Sequence, residues 1–265
     1  MTRGYSDINI IKKYPLLFIP AMCFRDLWGT SIFINKIGSE WETSLRSLRK
    51  YGVCLVPVTL QDDFVQSALK NIDDNLRDAE IFGSDYRLFG AEEKISRVME
   101  EFSSNEKLYS VAHRYLRSEI LLQTTLASKL TFEDGNLGSG QGWHRDSYSK
   151  QFKAMAYLTN VTMDSGPFEY LVGSHRYYSV IREIWHKRNK GKLLTNSRFT
   201  DDEVSELKKT LSLNSVKFAA PSGSVIIFDA RGIHRGSPIN AGSRYALTNY
   251  YLKKGHAPQR NMIGQ

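Results

Sequence analysis

The chain has 265 residues, 41% of them hydrophobic and 24% charged, enough to bury a core without disulfides; this excludes collagen, wholesale disorder and a membrane-spanning bundle. Lys and Arg number 36 against 28 Asp and Glu, and the net charge of +8 suits nucleic acid, an acidic membrane surface, an anionic small molecule or an ordinary basic enzyme. Cys23 and Cys54 cannot form a disulfide framework and point to a reducing, cytoplasmic compartment.

The apolar stretch Tyr14 to Phe24 is short and broken by Pro15 and Pro20, so it is expected to pack or dock rather than span a bilayer. Ser39 with Glu42 predicts a capping box, Trp41, Leu45 and Leu48 share a helical face, and Gly52 ends that helix. A buried strand, 53–58, follows. Phe64, Ala68, Ile72 and Leu76 then recur at helical spacing, and shorter helical patterns cover 95–102 and 108–115. Near Leu116 the texture changes to strands at 120–127, 152–161, 216–220, 224–229 and 245–252, separated by turns. One excursion interrupts them. Residues 182–198 are strongly basic, and Thr200 with Glu203 caps a helix ending at Lys208 and Lys209. Helices followed by strands predict an α+β chain, a single domain over 1–265. Its helical part covers about 1–115, its strand core about 116–252, and its inserted basic flap about 182–212.

Six histidines can be weighed one at a time. In an extended segment His144 and Asp146 point one way and Arg145 the other, which directs Arg145, and by the same alternation Arg235, toward outward salt bridges. His234 follows the apolar strand 225–228, and Arg244 opens the last strand ten residues later. Two imidazoles and one carboxylate form the facial ligand set of non-haem Fe(II) oxygenases, and an arginine fork suits a carboxylate. The same three residues also fit a structural polar cluster. His113, His186 and His256 are read as solvated, while Trp143 suits either a pocket wall or plain packing.

Several motifs in order carry a family resemblance: Trp143-His144-Arg145-Asp146, Ser165-Gly166-Pro167-Phe168, Gly173-Ser174-His175, Pro221-Ser222-Gly223-Ser224-Val225, His234, Gly236-Ser237-Pro238 and Arg244. Over about residues 116–252 the chain resembles the phytanoyl-CoA dioxygenase family of Fe(II)/2-oxoglutarate oxygenases in the broad sense that includes ectoine hydroxylase. The resemblance implies a double-stranded β-helix, a cupin-like jelly roll, with N-terminal helices packed on one sheet. It implies Fe(II) held by His144, Asp146 and His234, with 2-oxoglutarate and O2 as cosubstrates and Arg244 on the far carboxylate. Gln141 resembles a cosubstrate-contacting glutamine of some relatives. Ser237 sits one residue later than the family's serine, and Ala246 replaces a common Arg-x-Ser serine, so Thr248 is the candidate hydroxyl. Because Asp146 keeps its carboxylate, hydroxylation of a small polar or anionic metabolite is expected rather than halogenation, without a nucleic-acid partner. Two rival readings remain. A nucleic-acid demethylase would show steep salt dependence on single-stranded DNA, although Tyr250 stands where those relatives carry a second arginine. A silent jelly-roll binding module would fail to bind iron and 2-oxoglutarate together.

Overall fold

The computed structural model describes residues 38–191 and 197–254, so the 14–24 stretch, Lys192 and His256 lie outside the described residues. Helix α1 (Ser39–Tyr51) buries Trp41, Leu45 and Leu48 and stops at Gly52, whose φ of 87° lets its N–H return to the Leu48 carbonyl. The expected capping box does not form. Gly38 is the N-cap residue, Ser39 is already helical, and the Glu42 carboxylate pairs with Arg114 instead. Strand β1 (Val53–Thr59) follows, then helix α2 (Asp62–Asp74), which buries Phe64, Ala68 and Ile72. Leu76 falls in a separate 3₁₀ turn, Leu76–Asp78.

A hairpin of β2 (Glu80–Phe82) and β3 (Asp85–Phe89) comes next. The helix expected over 95–102 is broken. Helix α3 (Ala91–Lys94) ends where Ile95 extends, Arg97 takes a positive φ of 65°, and a π turn covers Met99–Ser103. Ile95, Val98 and Phe102 still fill the core. Helix α4 (Glu106–Leu116), capped by Asn105 accepting from the Leu108 N–H, completes the first half.

The second half contributes β4 (Ile120–Thr131), β5 (Phe152–Tyr157), β6 (Phe168–Leu171), helices α5 (Tyr177–Asn189) and α6 (Asp201–Leu211), β7 (Ser215–Phe218), β8 (Ser224–Asp229), β9 (His234–Gly236) and β10 (Ser243–Lys253). The capping box of Thr200 and Glu203 opens α6 as expected. Strands β1-β8-β5-β10-β4-β3-β2 form one sheet and β7-β6-β9 a second, and every pairing is antiparallel.

Alternation along the central strands assigns the two faces. Phe152, Ala154 and Ala156 of β5, Val225 and Ile227 of β8, and Leu247 and Tyr251 of β10 pack with Leu45, Phe64, Phe102 and Tyr115 from the helices. The opposite residues, Met155, Tyr157, Ile226, Phe228 and Ala246, meet Phe168 and Tyr170 of the small sheet. This is a jelly-roll core with helices on the outer face of its large sheet, and the inner face leads to the site.

Candidate metal centre

His144 lies in the loop between β4 and β5, yet its backbone is ladder-like. Its N–H donates to the His234 carbonyl at 2.9 Å, and the His234 N–H returns to the His144 carbonyl at 2.8 Å. On its other side the Arg145 N–H donates to Ser197 and the Phe199 N–H to Trp143, each at 2.9 Å, while the Asp146 N–H reaches Ala230 at 3.0 Å. Residues 143–146 are thereby held between β9 and the segment entering α6. Gly140 makes room for the ring: a Cβ there would lie 2.2 Å from the His144 Cε1.

Three ligand atoms converge. Oδ1 of Asp146 is 3.4 Å from Nε2 of His144 and 3.9 Å from Nε2 of His234, and all three lie within 4.8 Å of one another. Nδ1 of His144 donates to the Gly142 carbonyl and Nδ1 of His234 to the Gly232 carbonyl, both at 2.9 Å. A carbonyl oxygen only accepts, so each Nδ1 carries a proton, and Nε2 of both rings faces the shared point. Burial, reinforced by the neighbouring His144, pushes His234 down to about 3, which keeps it a neutral donor at pH 7. Burial opposes ionisation of Asp146, but Lys153 and then His144 hold its carboxyl well below the usual range. Two imidazoles with one carboxylate match a facial iron site.

Arg244 lies on the inner face of β10, buried, with Nη1 donating to the Gly166 carbonyl. Its Nε has no partner, and among the described residues it forms no ion pair. Gly236, two residues beyond His234 on the same strand face, admits the guanidinium, since a Cβ there would lie 2.9 and 3.0 Å from its terminal nitrogens. A buried guanidinium lacking a protein carboxylate fits a carboxylate from a small molecule.

The other candidates divide. Thr248 shares the inner face with Arg244 but lies four residues, roughly 13 Å, along the strand. The Ser237 hydroxyl donates to Glu169 at 3.3 Å, and Glu169 also pairs with Arg235, on the face of β9 opposite His234. Gln141 takes a positive φ of 56° and its amide donates to the Phe82 carbonyl at 2.7 Å, in the β2–β3 hairpin. Both hydrogen bonds engage these side chains away from Arg244.

Arg145 does turn from the triad, but not outward. It is buried against Glu183 of α5 and the Arg231 carbonyl, because α5 folds back over this loop. Arg235 pairs with Glu169 and Asp201 and covers Trp143, whose Nε1 also donates to Asp201. Residues 182–189 of the basic run belong to helix α5, which begins at Tyr177; Lys187 is buried on Glu183, and Lys190 pairs with Glu206 of α6. His186 meets the same Glu206, while His175 is buried with Nε2 on the Arg49 carbonyl.

Lys153 and Asp85 are additions that the motifs do not announce. Nζ of Lys153 pairs with Oδ2 of Asp146 and lies 3.7 Å from the Tyr250 ring centroid. The signal for Lys153 is a single charge inside the apolar strand 152–157. Asp85 is fully buried, and its Oδ2 accepts from Arg87, Ser139 and the Gly140 N–H, fastening the loop that carries His144.

A jelly roll with two histidines and an aspartate converging at its inner face belongs to the structural class of cupin-like, metal-dependent oxygenase folds. The family model "Phytanoyl-CoA dioxygenase (PhyH)" matches residues 48–246, and the chain belongs to that family. Among solved structures it is similar to EctD from S. alaskensis with 2-oxoglutarate and 5-hydroxyectoine: TM-score 0.63, 17% identity, 87% of this chain and 82% of that one covered. The epimerase SnoN in complex with Fe3+, alpha ketoglutarate and nogalamycin RO gives 0.61 and 16%, covering 80% and 83%. The carbocyclase SnoK from nogalamycin biosynthesis gives 0.60 and 16%, covering 82% and 87%. No curated protein sequence matches the chain. No helix among the described residues is long and apolar enough to cross a membrane.

Proposed function

We propose that the chain is an Fe(II)- and 2-oxoglutarate-dependent dioxygenase that hydroxylates a small polar molecule. In this reading His144, Asp146 and His234 hold the metal and Arg244 holds the far carboxylate of 2-oxoglutarate. The observation that carries it is the pairing of two Nδ1-tethered histidines with a buried arginine that has no carboxylate partner among the described residues. EctD and SnoN, solved with 2-oxoglutarate or alpha ketoglutarate, support the same reading.

When bound, iron with 2-oxoglutarate and dioxygen supplies the oxidation: 2-oxoglutarate leaves as succinate and CO2, and one oxygen atom is available to substrate. The chain's own residues bind, orient and exclude water. Phe168, Phe228 and Tyr170 surround the His234 ring at centroid distances of 5.6, 5.1 and 6.2 Å and keep that side dry. Arg244 offers its fork from the β10 side. The Asp146 side chain is 24% exposed, so the site is open to solvent on that side. Its carboxylate keeps the third protein position, which favours hydroxylation over halide transfer. SnoN and SnoK are named an epimerase and a carbocyclase, so product analysis decides the outcome. Within the basic run, Lys187 and Lys190 are engaged with Glu183 and Glu206, and Arg182 and Arg188 are exposed.

Fe(II) and 2-oxoglutarate added without oxygen should produce a visible charge-transfer absorption that disappears in His144→Ala and His234→Ala. An unchanged absorption in both variants would place the metal elsewhere. Succinate release across a panel of small polar compounds, with one oxygen gained by the product, identifies the substrate.

A further inference from the structure

Strand β5 runs between β8 and β10, and each of its six residues is buried. Lys153 is the one charged residue among them, 4% exposed, on the face that also carries Met155 and Tyr157. A lysine is rarely retained in such a place unless a specific partner holds it. Here the partner is Asp146, and its two oxygens are divided. Oδ1 faces Nε2 of His144 and His234, and Oδ2 is taken by Nζ of Lys153. The ring of Tyr250, the cross-strand neighbour of Lys153 on β10, packs 3.7 Å from the ammonium and fixes its direction.

A carboxylate can ligate through one oxygen or both. An Asp146 with both oxygens free could swing to present the pair and would occupy a position otherwise open to small ligands. We propose that Lys153 is a positioning residue that keeps Asp146 a one-oxygen ligand by holding Oδ2 away from the metal point. The proposal rests on the metal reading above. It gives Lys153 no contact with the metal, and it accounts for a buried charge that none of the other roles uses. Partners that orient a ligand in this way commonly matter for metal affinity nearly as much as the ligands.

The test is a Co(II) titration of the full chain followed by the ligand-field absorption, which reports coordination number. Lys153→Met should bind Co(II) about tenfold more weakly with an altered spectrum, and Lys153→Arg should return both to within about threefold of wild type. If Lys153→Met fails to fold by far-UV circular dichroism, Lys153→Leu carries the same comparison. A merely structural lysine would lower the Tm of the metal-free protein and leave the Co(II) spectrum superposable on wild type, and that result overturns the proposal. Tighter binding by the Met variant also overturns it, because Lys153 would then be only an obstacle to a cation. Wild type and His234→Ala binding Co(II) alike would remove the metal reading and this proposal with it. Loss confined to His234→Ala would remove this proposal alone.

Discussion

His144 and His234, 90 positions apart in the chain, are direct cross-strand neighbours that exchange two backbone hydrogen bonds of 2.9 and 2.8 Å. Side chains of a directly opposed pair leave the ladder on the same side, and the two rings sit 4.5 Å apart. Each belongs to a Gly-x-His triplet whose glycine carbonyl takes the Nδ1 proton. The backbone ladder thus sets both the spacing and the tautomer of the two imidazoles before any metal is added.

Gly140 should be the least replaceable glycine of this loop. Gly140→Ala places a methyl 2.2 Å from Cε1 of His144, and Gly142→Ala meets nothing within 4 Å although both residues have positive φ, 83° and 87°. The shared backbone strain costs about 1 kcal/mol in either variant. Only Gly140→Ala should also lose metal affinity, because the ring must move. Parallel thermal melts and Co(II) titrations separate the two effects. Equal metal affinities would show that His144 tolerates the displacement.

Arg244→Lys keeps a positive charge and loses the two-pronged fork. Calorimetry under anaerobic conditions should show 2-oxoglutarate binding weakened at least tenfold, about 1.4 kcal/mol, with Fe(II) affinity near wild type. The variant amine cannot donate to both carboxylate oxygens and to the Gly166 carbonyl in the geometry Arg244 uses. Undiminished 2-oxoglutarate binding would assign that carboxylate to another residue.

Much of the fold and the triad was legible in the sequence, for identifiable reasons. The expected strands 152–161 and 224–229, observed as Phe152–Tyr157 and Ser224–Asp229, stand out because both faces are covered and their centres are apolar but for Lys153. The β2–β3 hairpin was not read, although Gly83 and Ser84 form a two-residue turn between Phe82 and Asp85, because Glu80–Phe82 and Asp85–Phe89 are short and half polar. His144, Asp146 and His234 declare themselves through their flanking glycines and their order. Arg145, by contrast, was read as an outward salt bridge. Alternation tells which way a side chain leaves the backbone and nothing about whether a helix such as α5 later covers it. Lys190 shows the same limit: its partner Glu206 lies 16 residues away, and only the packing of α5 against α6 brings the two together.

Glu183 tests how firmly α5 braces the site from behind. It is 1% exposed and accepts from Arg145, Tyr148 and Lys187. Glu183→Ala strands the Arg145 guanidinium without a carboxylate and should destabilise the protein by about 3–5 kcal/mol in urea denaturation. Glu183→Gln, which keeps the shape and one acceptor, should lose less. A loss below about 1 kcal/mol for Glu183→Ala would mean water or another acceptor replaces the carboxylate.

His175 should make the fold acid-sensitive independently of any metal. It is 3% exposed, packed beside Gly52 and Tyr170, and burial pushes its imidazole down to about 4 from an ordinary 6.5. The unfolded chain therefore takes up a proton below about 6.5 that the folded chain refuses until about 4. Stability from this source is fully present above pH 6.5, falls as pH drops, and is lost by about pH 4, a change of roughly 3 kcal/mol. His234 is lowered in the same direction, so wild type alone does not isolate the effect. The comparison is the urea midpoint of wild type and His175→Gln between pH 7 and 4.5. His175→Gln should be the less stable at pH 7, having lost the bond to the Arg49 carbonyl, and should decline less steeply on acidification. Parallel declines in the two proteins would mean that His175 titrates normally in the fold, which is incompatible with its being closed off between Gly52 and the Arg49 carbonyl.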